Sequence, residues 1–236
     1  MNVLFDEVGF THEYRSEYEE FYRPYFNSEE ELTAFFVSVF ERDSIDKTPR
    51  RMMNQIQRFV SLANDIDSIR AGRDPLRVLF LRICLESLYS LSKQNSAKKH
   101  RIKDFFKEYI SEAGQQYILN HFTFRGLEPI CEIDAKSGML YNCKSRYSLS
   151  IDDFSMIFYI IRGMVVHEGD YWSMQLFGSD DNYTSLVFMS TDKQIVDCHQ
   201  STKGTPISYF FETTLSYKKF IYYYVDGCIQ FLKTHI

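Results

Sequence analysis

Positive charge is in short supply: 27 Lys and Arg face 32 Asp and Glu, for a net charge of −5. That balance excludes a protein that holds nucleic acid by its overall field, so any such contact needs a local basic patch. Two stretches qualify, Arg50-Arg51 and Lys98-Lys99-His100-Arg101-Ile102-Lys103. Each reads first as a solvated helix start or loop. Cysteine is sparse and scattered, at Cys84, Cys131, Cys143, Cys198 and Cys228. An odd number with no C-x-x-C pair excludes a disulfide framework and a zinc knuckle. No apolar run approaches the roughly 20 residues that span a bilayer. The segment 1–7 has no basic stretch followed by an apolar one, so no signal peptide is expected and the chain reads as cytoplasmic. His12, His100, His121, His199 and His235 show no metal-ligand spacing, and no G-x-G-x-x-G, Walker or G-x-S-x-G sequence occurs. Neither a metal nor a cofactor is expected.

What the chain has in quantity is aromatic rings, 21 Phe and 17 Tyr in 236 residues. Large rigid rings suit packed helix interfaces and also flat stacking surfaces. For the run Tyr222-Tyr223-Tyr224, core or a dimer surface is the first reading and a base-stacking platform the second. Residues 1–27, rich in Tyr, Phe and Glu, read as an irregular or short-helical arm. Ser28-Glu29-Glu30-Glu31 spells a capping box, and Leu32, Phe35, Phe36, Val39 and Phe40 follow at helical spacing. A second stripe, Met52, Met53, Ile56, Phe59, Val60, Ala63, Ile66 and Ile69, predicts a helix over 49–71, stopped by Gly72. Asp74 as N-cap and Pro75 at the first helical position open a helix over 75–93. It is apolar around most of its circumference, which marks it as central.

A helix over 101–120 carries Ile102, Phe105, Phe106, Tyr109, Ile110, Ala113, Tyr117 and Ile118. Residues 121–148 lose periodicity and form a long connection with short structure of their own. Ser150, followed by Asp152 and Asp153 near the positive end of the dipole, caps a helix that is apolar from Phe154 to Val166. Gly169 is its natural stop. Beyond it, Trp172–Phe177 and Tyr183–Met189 read as strands joined by 178–182, with a third at Gln194–Cys198. Thr205-Pro206 then opens a last helix. The expected architecture is mainly α: an N-terminal helical arm over 1–48 and a helical domain over 49–236, with a small β insertion at about 171–200.

Candidate chemistry concentrates on the helix after Ser150. Arg162 is the one charge between Asp153 and His167, and an unpaired buried guanidinium costs several kcal/mol, so it needs a carboxylate, a phosphate or water. Its planar fork suits the first two. Glu86, inside Leu79-Phe80-Leu81-Arg82-Ile83-Cys84-Leu85-Glu86, is the carboxylate in matching surroundings. Two pairings are open: Arg162 with Glu86, or Glu86 with Arg82 one turn earlier. His167 falls at the helix C-terminus, where the macrodipole favours its protonated form. There it either caps carbonyls or works as a general acid/base. Next to an arginine, an imidazole can exchange a proton with a 2′-hydroxyl or leaving oxygen while the guanidinium steadies the phosphorane. Glu168 and Asp170 read as solvated helix-end acids.

Chance alone supplies about 0.4 R-x4-H matches in such a composition; the single one here ends a buried helix. Arg162-Gly163-Met164-Val165-Val166-His167 resembles the R-x4-6-H signature of HEPN domains. The helix around Cys84-Leu85-Glu86-Ser87-Leu88-Tyr89 is similar to the first core helix of the Apea-like HEPN branch. The resemblance covers 50–235 in layout and two short stretches in letters. It implies a helical bundle that forms a homodimer, with two such motifs in one cleft. Many members are metal-independent RNases of toxin, defence or RNA-processing systems; others are noncatalytic and bind RNA, nucleotide or a protein partner such as an antitoxin. Arg162 and His167 take the motif positions, and Glu86 a supporting one found in some branches. Gly163 departs from the pattern, which places a polar residue after the arginine. A glycine there costs roughly 1 kcal/mol against alanine and permits close approach of a helix or ligand. A third alternative leaves Arg162 and Glu86 as a purely structural pair and lodges function in the β insertion.

Overall fold

The computed structural model describes residues 12–42, 45–70, 73–93, 97–124, 131–133, 140–142, 149–163, 165–166, 184–190 and 207–236. Within them the chain is mainly helical. Helix α1 (His12–Tyr22) runs through a 3-10 turn into α2 (Glu29–Arg42). The expected capping box is formed: Ser28 Oγ accepts from the Glu31 N–H, and the Glu31 carboxylate takes the Asn27 N–H at 3.0 Å. Helices α3 (Thr48–Ile69) and α4 (Asp74–Leu91) follow and lie side by side. Asp74 is the first residue of α4 rather than its cap. Its carboxylate accepts from Arg77 at 2.9 Å, because a nearby buried guanidinium competes better for it than a backbone amide.

The helix expected over 101–120 is three pieces: α5 (Lys98–Asp104), a π-helical turn (Phe105–Tyr109) and α6 (Glu112–Asn120). The break has a local cause. Ile110 is extended, and Ser111 restarts the helix by accepting the Gly114 N–H at 3.3 Å. It also has a packing cause. A Cβ on Gly227 would lie 2.7 Å from Ile110 Cδ1 and 3.1 Å from Phe105 Cζ, so the last helix presses directly on the break.

Helix α7 (Ile151–Gly163) carries Arg162 in its last turn. The β structure is distributed differently from the expectation. Strand β4 (Thr184–Ser190) overlaps the expected strand at 183–189, but its antiparallel partner is β5 (Ile207–Thr213), which in turn pairs with β1 (Phe122–Phe124). Strands β2 (Cys131–Ile133) and β3 (Leu140–Asn142) form a separate antiparallel pair. The last helix, α8 (Tyr217–Lys233), therefore starts after β5 and not at Thr205-Pro206. Ile207-Ser208-Tyr209-Phe210-Phe211 is β-branched and aromatic, and its pairing on both edges overrides the helical start signal. The expected strands at 172–177 and 194–198 lie outside the described residues.

The aromatic surplus is spent in the core. Phe105 and Phe106 of the π turn, Phe154 and Phe158 of α7, and Phe220 and Tyr224 of α8 form a closed set of rings at 5.2–6.5 Å. Edge-to-face pairs such as Phe106–Phe154 and Phe106–Phe158 are each worth about 0.5–1.5 kcal/mol beyond their buried area. Helices α1 and α2 contribute Tyr22, Phe35, Phe36 and Val39 to the same core cluster. The buried tyrosines satisfy their hydroxyls on main chain: Tyr22 donates to Met53 O at 2.6 Å and Tyr224 to Leu81 O at 2.5 Å. Cys84 and Cys228 sit sealed beside them as free thiols, and burial pushes the Cys228 thiol well above the ordinary range.

Candidate functional site

Helix α7 is fixed at both ends of its polar sequence. At its start Ser150 Oγ accepts the Asp153 N–H while the Asp153 carboxylate accepts the Ser150 N–H at 2.9 Å, a reciprocal cap. Lys103 lies 3.4 Å from Asp152, so the basic segment 98–103 spends one of its charges holding α5 to this helix start. From there Phe154, Met156, Ile157, Phe158 and Ile161 are buried. This apolar run delivers the half-buried Arg162 to the last turn, next to α4.

Helix α4 meets it with Arg82 and Glu86. Arg82 is 2 % exposed, the largest sealed side chain of the protein. Its guanidinium lies 4.1 Å from the centre of the Tyr159 ring and Nη1 donates to the Tyr159 carbonyl. Its Nε is 3.0 Å from Glu86 Oε1, an ion pair one turn along the same helix whose contact is electrostatic rather than an aligned hydrogen bond. Of the two pairings open in the sequence, the described ion pair is therefore Arg82 with Glu86. Arg162 Nε is buried and has no hydrogen-bond partner among the described residues. Burial lowers the proton affinity of Arg82; the Glu86 charge opposes that shift and the nearby Arg162 charge adds to it.

The arrangement thus brings Arg162, Arg82, Glu86 and Tyr159 to one helix–helix contact. Two guanidinium groups share it with one carboxylate, which suits an oxyanion better than a cation. His167, Glu168, Gly169 and Asp170 lie outside the described residues, so the distance from His167 to this cluster is not part of the described geometry. Arg82 carries more of the cluster than its place as an alternative partner suggested. The signal that finds it is the i, i+4 spacing to Glu86 within an apolar helix.

A second buried cation was missed. Arg77, mostly sealed, pairs with Asp74 at 2.9 Å and Asp67 at 3.3 Å and lies 4.2 Å from the centre of the Tyr217 ring. Tyr217 in turn donates to Asn64 Oδ1 at 2.8 Å. This network ties the end of α3, the start of α4 and the start of α8, and its charges are mutually satisfied. The Asp74–Arg77 i, i+3 spacing was its one trace in the sequence. The described histidines outside the motif are tied to backbone: His121 Nδ1 lies 2.7 Å from Tyr117 O and His235 Nδ1 3.0 Å from Phe231 O. Among the described residues no cluster of His, Cys, Asp and Glu could hold a metal ion, and no helix is long and apolar enough to cross a membrane. Compared with protein-family models, with curated proteins and with solved structures, the chain matches none.

Proposed function

We propose that the chain is a HEPN-like, metal-independent endoribonuclease of toxin, defence or RNA-processing type, with Arg162 as the phosphate ligand and His167 as general acid/base. The observation that supports this is the charge state of the helix contact. Glu86 is engaged by Arg82, and Arg162 keeps a buried Nε without a partner among the described residues. A guanidinium in that state gains most from a phosphate oxygen. In this reading His167 takes a proton from the 2′-hydroxyl or returns one to the leaving oxygen, and Arg162 stabilises the charge that develops on phosphorus. A homodimer sets two such sites in one cleft in the cytoplasm, and an antitoxin-type protein covers it.

One observation favours a second reading, a noncatalytic HEPN-like module that binds RNA or nucleotide. Gly163 directly follows Arg162 at the end of α7, so the motif position that carries a polar group has no side chain. A single experiment separates the two. The purified protein is incubated with a mixed single-stranded and structured RNA pool in EDTA, beside H167A and R162A. Cleavage that H167A and R162A both abolish, with the fold intact by circular dichroism, is the expected result. Cleavage that survives H167A removes the mechanism. Binding without cleavage, lost in R162A, establishes the noncatalytic reading.

A further inference from the structure

We infer that Arg82 is a positioning residue whose role is to hold Glu86 away from Arg162, so that Arg162 stays available to a phosphate-type oxyanion. The inference rests on the reading of Arg162 as an anion ligand and adds the device that keeps it one.

The carboxylate that a sequence would assign to Arg162 already has a partner on its own helix. Arg82 and Glu86 are one turn apart on α4, so their ion pair needs no movement between helices. Arg82 cannot easily leave it. The face of the Tyr159 ring and the Tyr159 carbonyl hold its guanidinium from α7, at a point one turn before Arg162. A planar fork locked at three points is a far better holder of Glu86 than a free cation on the adjoining helix. Charge counting then decides the consequence. The described charges at this contact are two guanidinium groups and one carboxylate. Once Arg82 has taken the carboxylate, the positive charge left over is that of Arg162. The other acids of α7, Asp152 and Asp153, are at the opposite end of the helix, engaged with Lys103 and Ser150. Without the charge of Arg82, Glu86 becomes a partly buried, unpaired carboxylate, and the nearest described cation left to answer it is Arg162. The anion site would then be filled by the protein itself.

The test reads Arg162 directly. In 15N-labelled protein the Nε–H resonance of Arg162, assigned by its loss in R162K, is followed as inorganic phosphate is added. In the wild type it shifts with phosphate. R82Q retains a donor for the Tyr159 carbonyl but has no charge for Glu86. In R82Q the resonance is expected to move before phosphate is added, with apparent phosphate affinity down about tenfold, the size of a contact-range coupling. In R82Q/E86Q the response is expected to return to within about threefold of wild type. An unchanged Arg162 resonance and phosphate response in R82Q overturns the inference, as does a wild type that gives no response. Should R82Q not fold, E86Q decides: it must displace the Arg82 Nε–H resonance in phosphate-free buffer more than that of Arg162, and the reverse overturns the inference. Failure of the nuclease reading looks different. RNA would survive incubation with the wild type while the phosphate-dependent pattern across the variants persisted.

Discussion

Arg82 grips Tyr159 twice, by its guanidinium over the ring at 4.1 Å and by a hydrogen bond to the same residue's carbonyl. A cation sealed between two helices in this way couples the stability of their packing to the charge balance of the site. R82M removes both contacts and strands Glu86. Removing one partner of a fully buried pair costs about 3–5 kcal/mol. Glu86 retains 23 % of its side-chain exposure, so water relieves part of that cost. A loss of about 2–3 kcal/mol in urea unfolding is expected, with E86Q losing less than R82M. Equal losses in the two variants would show that the helix clamp contributes nothing beyond the ion pair.

The break between the π turn and α6 predicts an asymmetric response at Gly227. Alanine gains about 1 kcal/mol of helix propensity, but its Cβ meets Ile110 Cδ1 at 2.7 Å and the Tyr109 carbonyl at 3.3 Å. Overpacking costs about 1–3 kcal/mol, so G227A is expected to lower the melting temperature. I110V deletes the methyl that is struck, and G227A should cost less in the I110V background than in the wild type. Additive costs in the double variant would place the clash elsewhere.

The reciprocal cap at Ser150 and Asp153 sets the start of the helix that ends in Arg162. S150A is expected to cost about 1 kcal/mol, and S150G less than half of that. Hydrogen exchange should speed up first at Asp153 and Phe154, whose amides bond Ser150 Oγ and O. If exchange instead rises evenly along α7, the helix is held by its packing and not by its cap.

Asp46 gives a pH signature. Its carboxylate accepts the Thr48 N–H at 2.9 Å at the start of α3, and the hydrogen bonds from Thr48 hold its pKa below the usual aspartate range. A depressed folded pKa means that the contribution is present above the unfolded value and is lost as pH falls through the folded one. Melting temperatures measured down into the acid range should therefore fall less steeply for D46N than for the wild type. Parallel curves for the two proteins would contradict the assignment.

The helical frame was largely legible because its signals are local. The stripes of α2 and α3, the capping spellings at Ser28 and Ser150, and the start of α4 at Asp74-Pro75 all depend on residues within a turn or two of each other. Ile69 ended the stripe of α3 on paper yet is 70 % exposed, since periodicity marks a face and not where its cover stops. The break at Ile110 was hidden because its cause, the close approach of Gly227, is more than a hundred residues away. Strand β5 was hidden for the same reason: its partners at 122–124 and 184–190 exist only after folding. At the site, the buried Arg162 and the two choices for Glu86 could be read from burial cost alone. Which choice wins depends on Tyr159 holding Arg82, a contact between helices that no spacing encodes.

Cys84 and Cys228 add a native reporter. Both thiols are sealed where α4 and α8 meet the aromatic core, and neither is oxidised to a disulfide. An aqueous thiol reagent reaches them only when the core opens, so their labelling rate under native conditions measures that opening without any introduced probe. Added phosphate or RNA that closes around Arg162 would slow that labelling, which makes the two cysteines a clock for ligand-linked breathing of the whole domain.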